Sequence, residues 1–151
     1  MRSTVKKVTE FHRKYGFPIQ EELLPREELS WDASLLNIVS QKLRRDWSAE
    51  ELRMHLIVEE TAELADAFVA GSRVEVLDAL ADLVYVVIGT AVTFGLPLAE
   101  AVDEVHRSNM TKTVDRDRAG HPGKGEGYSP PQLGKILTQT GVADGQLSHD
   151  E

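Results

Sequence analysis

Residues 59–85 read EETAELADAFVAGSRVEVLDALADLVY, and the placement of their carboxylates decides the fold. Glu60 and Glu63 share one helical face at i, i+3, and Asp78 and Asp82 share another at i, i+4. Between them Gly71 closes one helix and Ser72 opens the next. Helices joined so tightly pack antiparallel, which brings the two acidic faces together. Backward from Glu60, turn by turn, come Leu56 and Leu52; forward from Asp82 come Tyr85 and Gly89. The carboxylates therefore continue core-facing stripes. Clustered anions on such a face are costly unless paired or bound to a cation, and an all-oxygen donor set suits Mg²⁺. Either half alone reads as an ordinary solvated helix rich in Glu and Asp. Both halves on adjacent helices read as a metal site.

The flanking signals extend this pair into an all-α chain. Ser48 with Glu51, and Ser72 with Glu75, have capping-box spacing and start helices over 49–70 and 73–94. Ser3 caps an earlier helix that runs to Tyr15 and stops at Gly16. A further helix fits Trp31 to Arg45, with Leu35, Ile38, Val39 and Leu43 inward. Pro97 suits the first turn of a helix ending near Lys112, with Leu98, Val102 and Val105 apolar. From Thr113 the chain turns to Gly, Pro and charge, with a short helix or turn over Pro131 to Thr138 and a frayed end. No stretch alternates as a strand does. The expected fold is all-α, a bundle of four main helices with an irregular C-terminal extension. Residues 1–137 form one domain and 138–151 a flexible tail.

Composition narrows the function. With 151 residues and 41% hydrophobic content, the chain is long enough for a core and apolar enough to fold. A net charge of −8 argues against a nucleic-acid-binding surface. The absence of cysteine removes thiolate ligands, disulfides and a cysteine nucleophile. The N-terminus lacks a signal-peptide core. The apolar run Leu83 to Gly95 is too short to span a bilayer and reads as a buried core helix. The expected location is the cytoplasm, with no membrane partner.

The runs EETAEL, DALADLVYV and EVHRSNMTK, with EFHRKYG before them and KGEGYSPPQL after, resemble the MazG-like branch of the all-α nucleoside triphosphate pyrophosphohydrolases. Dimeric dUTPases and phosphoribosyl-ATP pyrophosphohydrolase belong to the same superfamily. The resemblance implies hydrolysis between the α and β phosphates of a nucleoside triphosphate, with Mg²⁺ or Mn²⁺ as cofactor and dUTP as a candidate substrate. It also implies a homodimer or higher homo-oligomer. The family's E-x-x-E falls on Glu60 and Glu63 as ligands, with Glu59 beside them as a further ligand or the base; Glu59, Glu60 and Glu63 are all candidates for the polarising base, Glu59 the favoured one. The aspartate of E-x-x-D falls on Asp82. Its glutamate would fall on Ala79, so Asp78 supplies the missing oxygen, or Glu75 and Asp78 satisfy the motif one turn earlier. Asn109, Lys112 and His12 match positions that contact the nucleotide.

Each assignment has a plainer reading beside it. Asn109 and Lys112 sit where a basic helix end complements the macrodipole. His12 lies beside an apolar stripe, and Trp31 and Trp47 suit core anchors as well as base stacking. The Gly-rich segment His121 to Tyr128 reads as a lid or a packed extension; it lacks P-loop spacing. Two other functions compete: phosphoribosyl-ATP hydrolysis, and a non-catalytic helical partner protein that has lost a ligand at Ala79.

Overall fold

A computed structural model describes residues 1–17, 19, 47–116 and 120–141. Among these the helices are α1 (Arg2–Tyr15), α2 (Ala49–Ala70), α3 (Arg73–Thr93), α4 (Leu98–Asn109) and α5 (Leu133–Thr140). No strand occurs among the described residues, which carry one isolated bridge, between Arg116 and Pro122. The all-α class is thus as expected. The helix expected over Trp31 to Arg45 lies outside the described residues, as does the chain beyond Gly141. The chain divides into two compact units. Pro25–Gly95 carries α2 and α3; Met1–Leu24 with Leu96–Glu151 carries α1, α4 and α5.

In the first of these units, local chemistry defines both helix starts. Ser48 Oγ accepts from the Glu51 N–H at 3.2 Å, and the Ser48 N–H donates to the Glu51 carboxylate at 3.0 Å, a complete capping box. Ser72 Oγ accepts from the Glu75 N–H at 3.3 Å, without a reciprocal bond. Gly71 between them takes φ +68°, a left-handed conformation that L side chains disfavour, and its N–H closes α2 onto the Ala67 and Phe68 carbonyls. This reversal makes α2 and α3 an antiparallel hairpin, the most extensive helix pairing among the described residues. The buried residues of both helices are alanines: Ala62, Ala65, Ala67, Ala79 and Ala91. Small side chains at a helix seam let the backbones approach closely.

The hairpin's register can be read from one contact. A Cβ added at Gly89 would lie 3.1 Å from Arg53 Nη1, so the guanidinium crosses α3 there. Arg53 and Gly89 are equidistant along the chain from Gly71. So are Glu60 and Asp82, and so are Glu63 and Ala79.

The apolar face of α3 departs from expectation. Tyr85 is 78% exposed, and Val84, Val87, Ile88 and Val92 are exposed with it, so this stretch is not the buried core helix its composition suggests. The physical reason is geometric. Apolar residues surround α3, whereas among the described residues α2 covers one side. By length and composition alone α3 is long and apolar enough to cross a membrane. Asp78 and Asp82 within it would be costly in a bilayer.

In the second unit, α1 and α4 are joined through their C-terminal ends. Tyr15 is buried, and its hydroxyl proton is shared between the Asn109 and Lys112 carbonyls, each at 2.8 Å. Lys14 donates to the Met110 carbonyl, and Lys7 pairs with Asp103. α4 ends at Asn109 rather than near Lys112, because the Thr111 and Lys112 N–H groups turn back to the Ser108 and Asn109 carbonyls. The helix start also differs from expectation, because Met1, not Ser3, is the N-cap of α1 and no side chain caps it. Gly16, at φ +66°, ends α1 as its position predicts.

The Gly-rich segment is a packed extension. The Thr113 N–H donates to the Gly123 carbonyl at 2.9 Å, and the Gly123 N–H to Asp115 at 2.7 Å. A Cβ at Gly123 would stand 2.9 Å from Thr113 Oγ1 and 3.1 Å from the Asp115 carbonyl, so only glycine fits. Further on, the Arg107 guanidinium forks onto Glu104 at 2.7 and 2.8 Å and also reaches Ser129 Oγ and the Pro130 carbonyl. The Gln132 N–H donates to the same Glu104 carboxylate at 2.8 Å.

Arg107 and the Gln132 N–H hold the Glu104 carboxyl well below the usual range, at about 2. A depressed carboxyl stabilises the fold above its unfolded value and loses that contribution as pH falls toward the folded one. At neutral pH the contribution is therefore complete. Glu104→Gln should accelerate tryptic cleavage after Lys124 and Lys135 several-fold at neutral pH and leave the earlier sites unchanged. An unaltered digestion pattern would show that the fork does not hold this segment.

Candidate active site

The acidic residues meet on the α2–α3 hairpin. Glu59, Glu60 and Glu63 project from α2, and Asp78 and Asp82 from α3. Glu60 is the focus. It is half-buried, while Glu63, Asp78 and Asp82 are exposed. Its carboxyl is raised above the ordinary value, first by loss of solvent and then by the negative charges of Glu63, Asp82, Glu59 and Asp78. Two helices thus bring four carboxylates within electrostatic reach of one. The equidistance of Glu60 and Asp82 from Gly71 explains why the partners on α3 are these two aspartates.

One atom gives the cluster its chemical character. Glu60 Oε2 is buried and has no hydrogen-bond partner. A buried carboxylate oxygen ordinarily finds a donor, and an unsatisfied one is expensive. Among the described residues the charges acting on Glu60 are further anions, a setting that a cation would suit. The donors are hard oxygens, which fit Mg²⁺ or Mn²⁺. Among the described residues no three His, Asp or Glu side chains already stand at ion-ligating spacing. Convergence on Glu60 is therefore electrostatic, and the carboxylates would need to close further around an ion.

Glu75 stays at the start of α3, where its N–H serves the Ser72 cap. Asp78 is among the charges that act on Glu60. Ala79, where an E-x-x-D motif would place glutamate, is buried at 5% exposure.

The remaining candidates belong to the other unit. Asn109 ends α4, and Lys112 follows in the turn, both with carbonyls held by Tyr15. His12 lies on α1 among aromatic rings, 6.5 Å from Phe11 and 5.4 Å from Phe17 between centroids. Trp47, in the same unit as α2 and just before its Ser48 cap, stacks its ring on His55 at 4.8 Å with planes 15° apart. His55 Nε2 in turn lies 3.8 Å from Glu59 Oε2. Neither His55 nor this relay was singled out from sequence, although the i, i+4 spacing of His55 and Glu59 was available as a signal.

Compared with protein-family models, residues 8–109 match the family described as phosphoribosyl-ATP pyrophosphohydrolase. Among curated proteins, none matches the chain.

Proposed function

Because the chain belongs to the phosphoribosyl-ATP pyrophosphohydrolase family, and so is a nucleotide pyrophosphohydrolase, we propose that it cleaves a nucleoside triphosphate between the α and β phosphates. Water adds to the α phosphorus, and the products are the monophosphate and pyrophosphate. The observation that carries this reading is the buried, unpartnered Glu60 Oε2 amid the carboxylates of Glu63, Asp78 and Asp82.

Those four residues would hold a divalent cation, which supplies positive charge to the phosphate oxygens as negative charge builds there. The chain's own residues do the rest. Glu59, beside the ligands and 45% exposed at its side chain, accepts the proton of the attacking water. Its exposure leaves it accessible to solvent, as a base that draws on bulk water must be. Asp78, rather than Glu75, takes the place of the glutamate that Ala79 lacks. The substrate we favour is a deoxynucleotide such as dUTP, removed as surplus, by a homodimer.

The test is pyrophosphate release from the deoxynucleoside and ribonucleoside triphosphates and phosphoribosyl-ATP, each with Mg²⁺, Mn²⁺ or EDTA. Release from one or a few deoxynucleotides, abolished by EDTA, is the expected result. Turnover of phosphoribosyl-ATP alone would replace the substrate. Undiminished turnover in EDTA would remove the cation from the mechanism, and no release from any compound would leave a non-catalytic partner protein.

A further inference from the structure

Glu59 needs an explanation that the acidic cluster does not supply. Among the described residues its neighbours on the site side are the carboxylates around Glu60, and none of these aims the Glu59 carboxylate. On the preceding turn of α2, His55 Nε2 faces Glu59 Oε2 at 3.8 Å. The ring is held in plane by Trp47, stacked at 4.8 Å and 15°. His55 Nδ1 is buried with no hydrogen-bond partner.

These facts select a tautomer. A proton on Nδ1 would leave that N–H donating to nothing and would turn the Nε2 lone pair toward a carboxylate, which repels it. A proton on Nε2 gives the carboxylate a donor and leaves only a bare acceptor buried. The neutral imidazole therefore carries its hydrogen toward Glu59. The separation is longer than a direct hydrogen bond, and a small rotation of the half-exposed Glu59 side chain or one bridging water closes it.

We propose that His55 is a positioning residue: its Nε2–H, held by the Trp47 stack, aims the Glu59 carboxylate at the attacking water. The proposal rests on the reading of Glu59 as the base. His55 itself touches neither substrate nor cation, and the α2 helix places it one turn away from the reacting atoms. Its loss should therefore lower kcat and leave KM nearly unchanged.

Steady-state pyrophosphate release in Mg²⁺ by the full chain tests this, with helical content checked by circular dichroism. His55→Leu and His55→Ala are both assayed, so that a folding defect in one leaves the comparison intact. The expected result is a fall in kcat of roughly tenfold, with KM within about twofold of wild type. His55→Gln, whose amide N–H lies near the position of Nε2, should recover most of the loss. Added to Glu59→Gln, the His55 substitution should cost nothing more, because the group it aims is gone. Unchanged kcat in both apolar variants, failure of glutamine to rescue, or a full additional loss in the double variant would each overturn the proposal. Wild-type turnover by Glu59→Gln alone would instead overturn the assignment of Glu59 as base, a result read without reference to His55.

Discussion

Glu60→Gln should silence the enzyme and at the same time make the cation-free protein harder to unfold. The two effects have one origin. Glu60 is partly desolvated and surrounded by Glu63, Asp82, Glu59 and Asp78, all of which raise its carboxyl. Folding thus increases its proton affinity, so the folded chain binds more protons than the unfolded chain between the ordinary value and the raised one. In that window stability falls as pH rises, and at neutral pH an ionised Glu60 opposes folding. Glutamine has the same shape, removes the charge, and offers an amide N–H to the surrounding carboxylates. Without cation, the variant should melt above wild type and lose the part of the acid-side pH dependence that Glu60 supplies.

The same substitution removes a central oxygen ligand for the cation. The loss of charge stabilisation in the transition state should cut pyrophosphate release by at least ~10²-fold. Addition of Mg²⁺ should raise the melting temperature of wild type, because a ligand that binds only the folded state stabilises it by mass action. It should raise that of Glu60→Gln much less. Thermal melts in EDTA and in Mg²⁺, beside the activity assay, check all of this. A cation-free variant less stable than wild type would mean that Glu60 is satisfied by a partner within the fold, and the site would lose its main support.

Much of the fold was legible because its signals are local. Ser48 with Glu51, Gly71 and Ser72 act within a turn of themselves, so α2 and α3 begin and end where the residues say, within a residue. The pairing of acidic faces followed from the brevity of that connection. What was not legible depends on distant partners. The turn that follows α4 is tied to Tyr15, far away in sequence, whose hydroxyl donates to the Asn109 and Lys112 carbonyls. No property of the stretch itself announces that. The exposure of Tyr85 and its neighbours was equally hidden, since an apolar composition shows that a helix can be covered but not on which side. At the site, sequence proposed the carboxylates as a set and placed Glu60, and with it Glu63, Asp78 and Asp82, on core-facing stripes. The structure leaves the last three exposed and desolvates Glu60. His55 was missed because its significance comes from the Trp47 ring and an orphaned nitrogen, neither visible in a one-dimensional pattern.

Ala79→Glu would restore the literal E-x-x-D spacing and should nonetheless damage the protein. Ala79 is nearly inaccessible in a seam whose other buried residues are also alanines, and in the hairpin register it stands opposite Glu63. A glutamate there must either push the helices apart or bury its charge among carboxylates. Overpacking a close seam costs roughly 1–3 kcal/mol, and an uncompensated buried charge adds to that. In a chain of this length, each 1 kcal/mol lowers Tm by about 2–4 °C, so a drop on the order of 5 °C or more in EDTA is expected, with no gain in kcat in Mg²⁺. Asp78→Ala should behave in the opposite way. Asp78 is exposed, so its loss should leave the fold intact and weaken the response to Mg²⁺ in both melting and turnover. If instead Ala79→Glu folds normally and turns over faster than wild type, the seam can open toward the cation. Asp78 would then be a neighbour of the site, and the departure at Ala79 would mark a weakened enzyme in place of a rearranged ligand set.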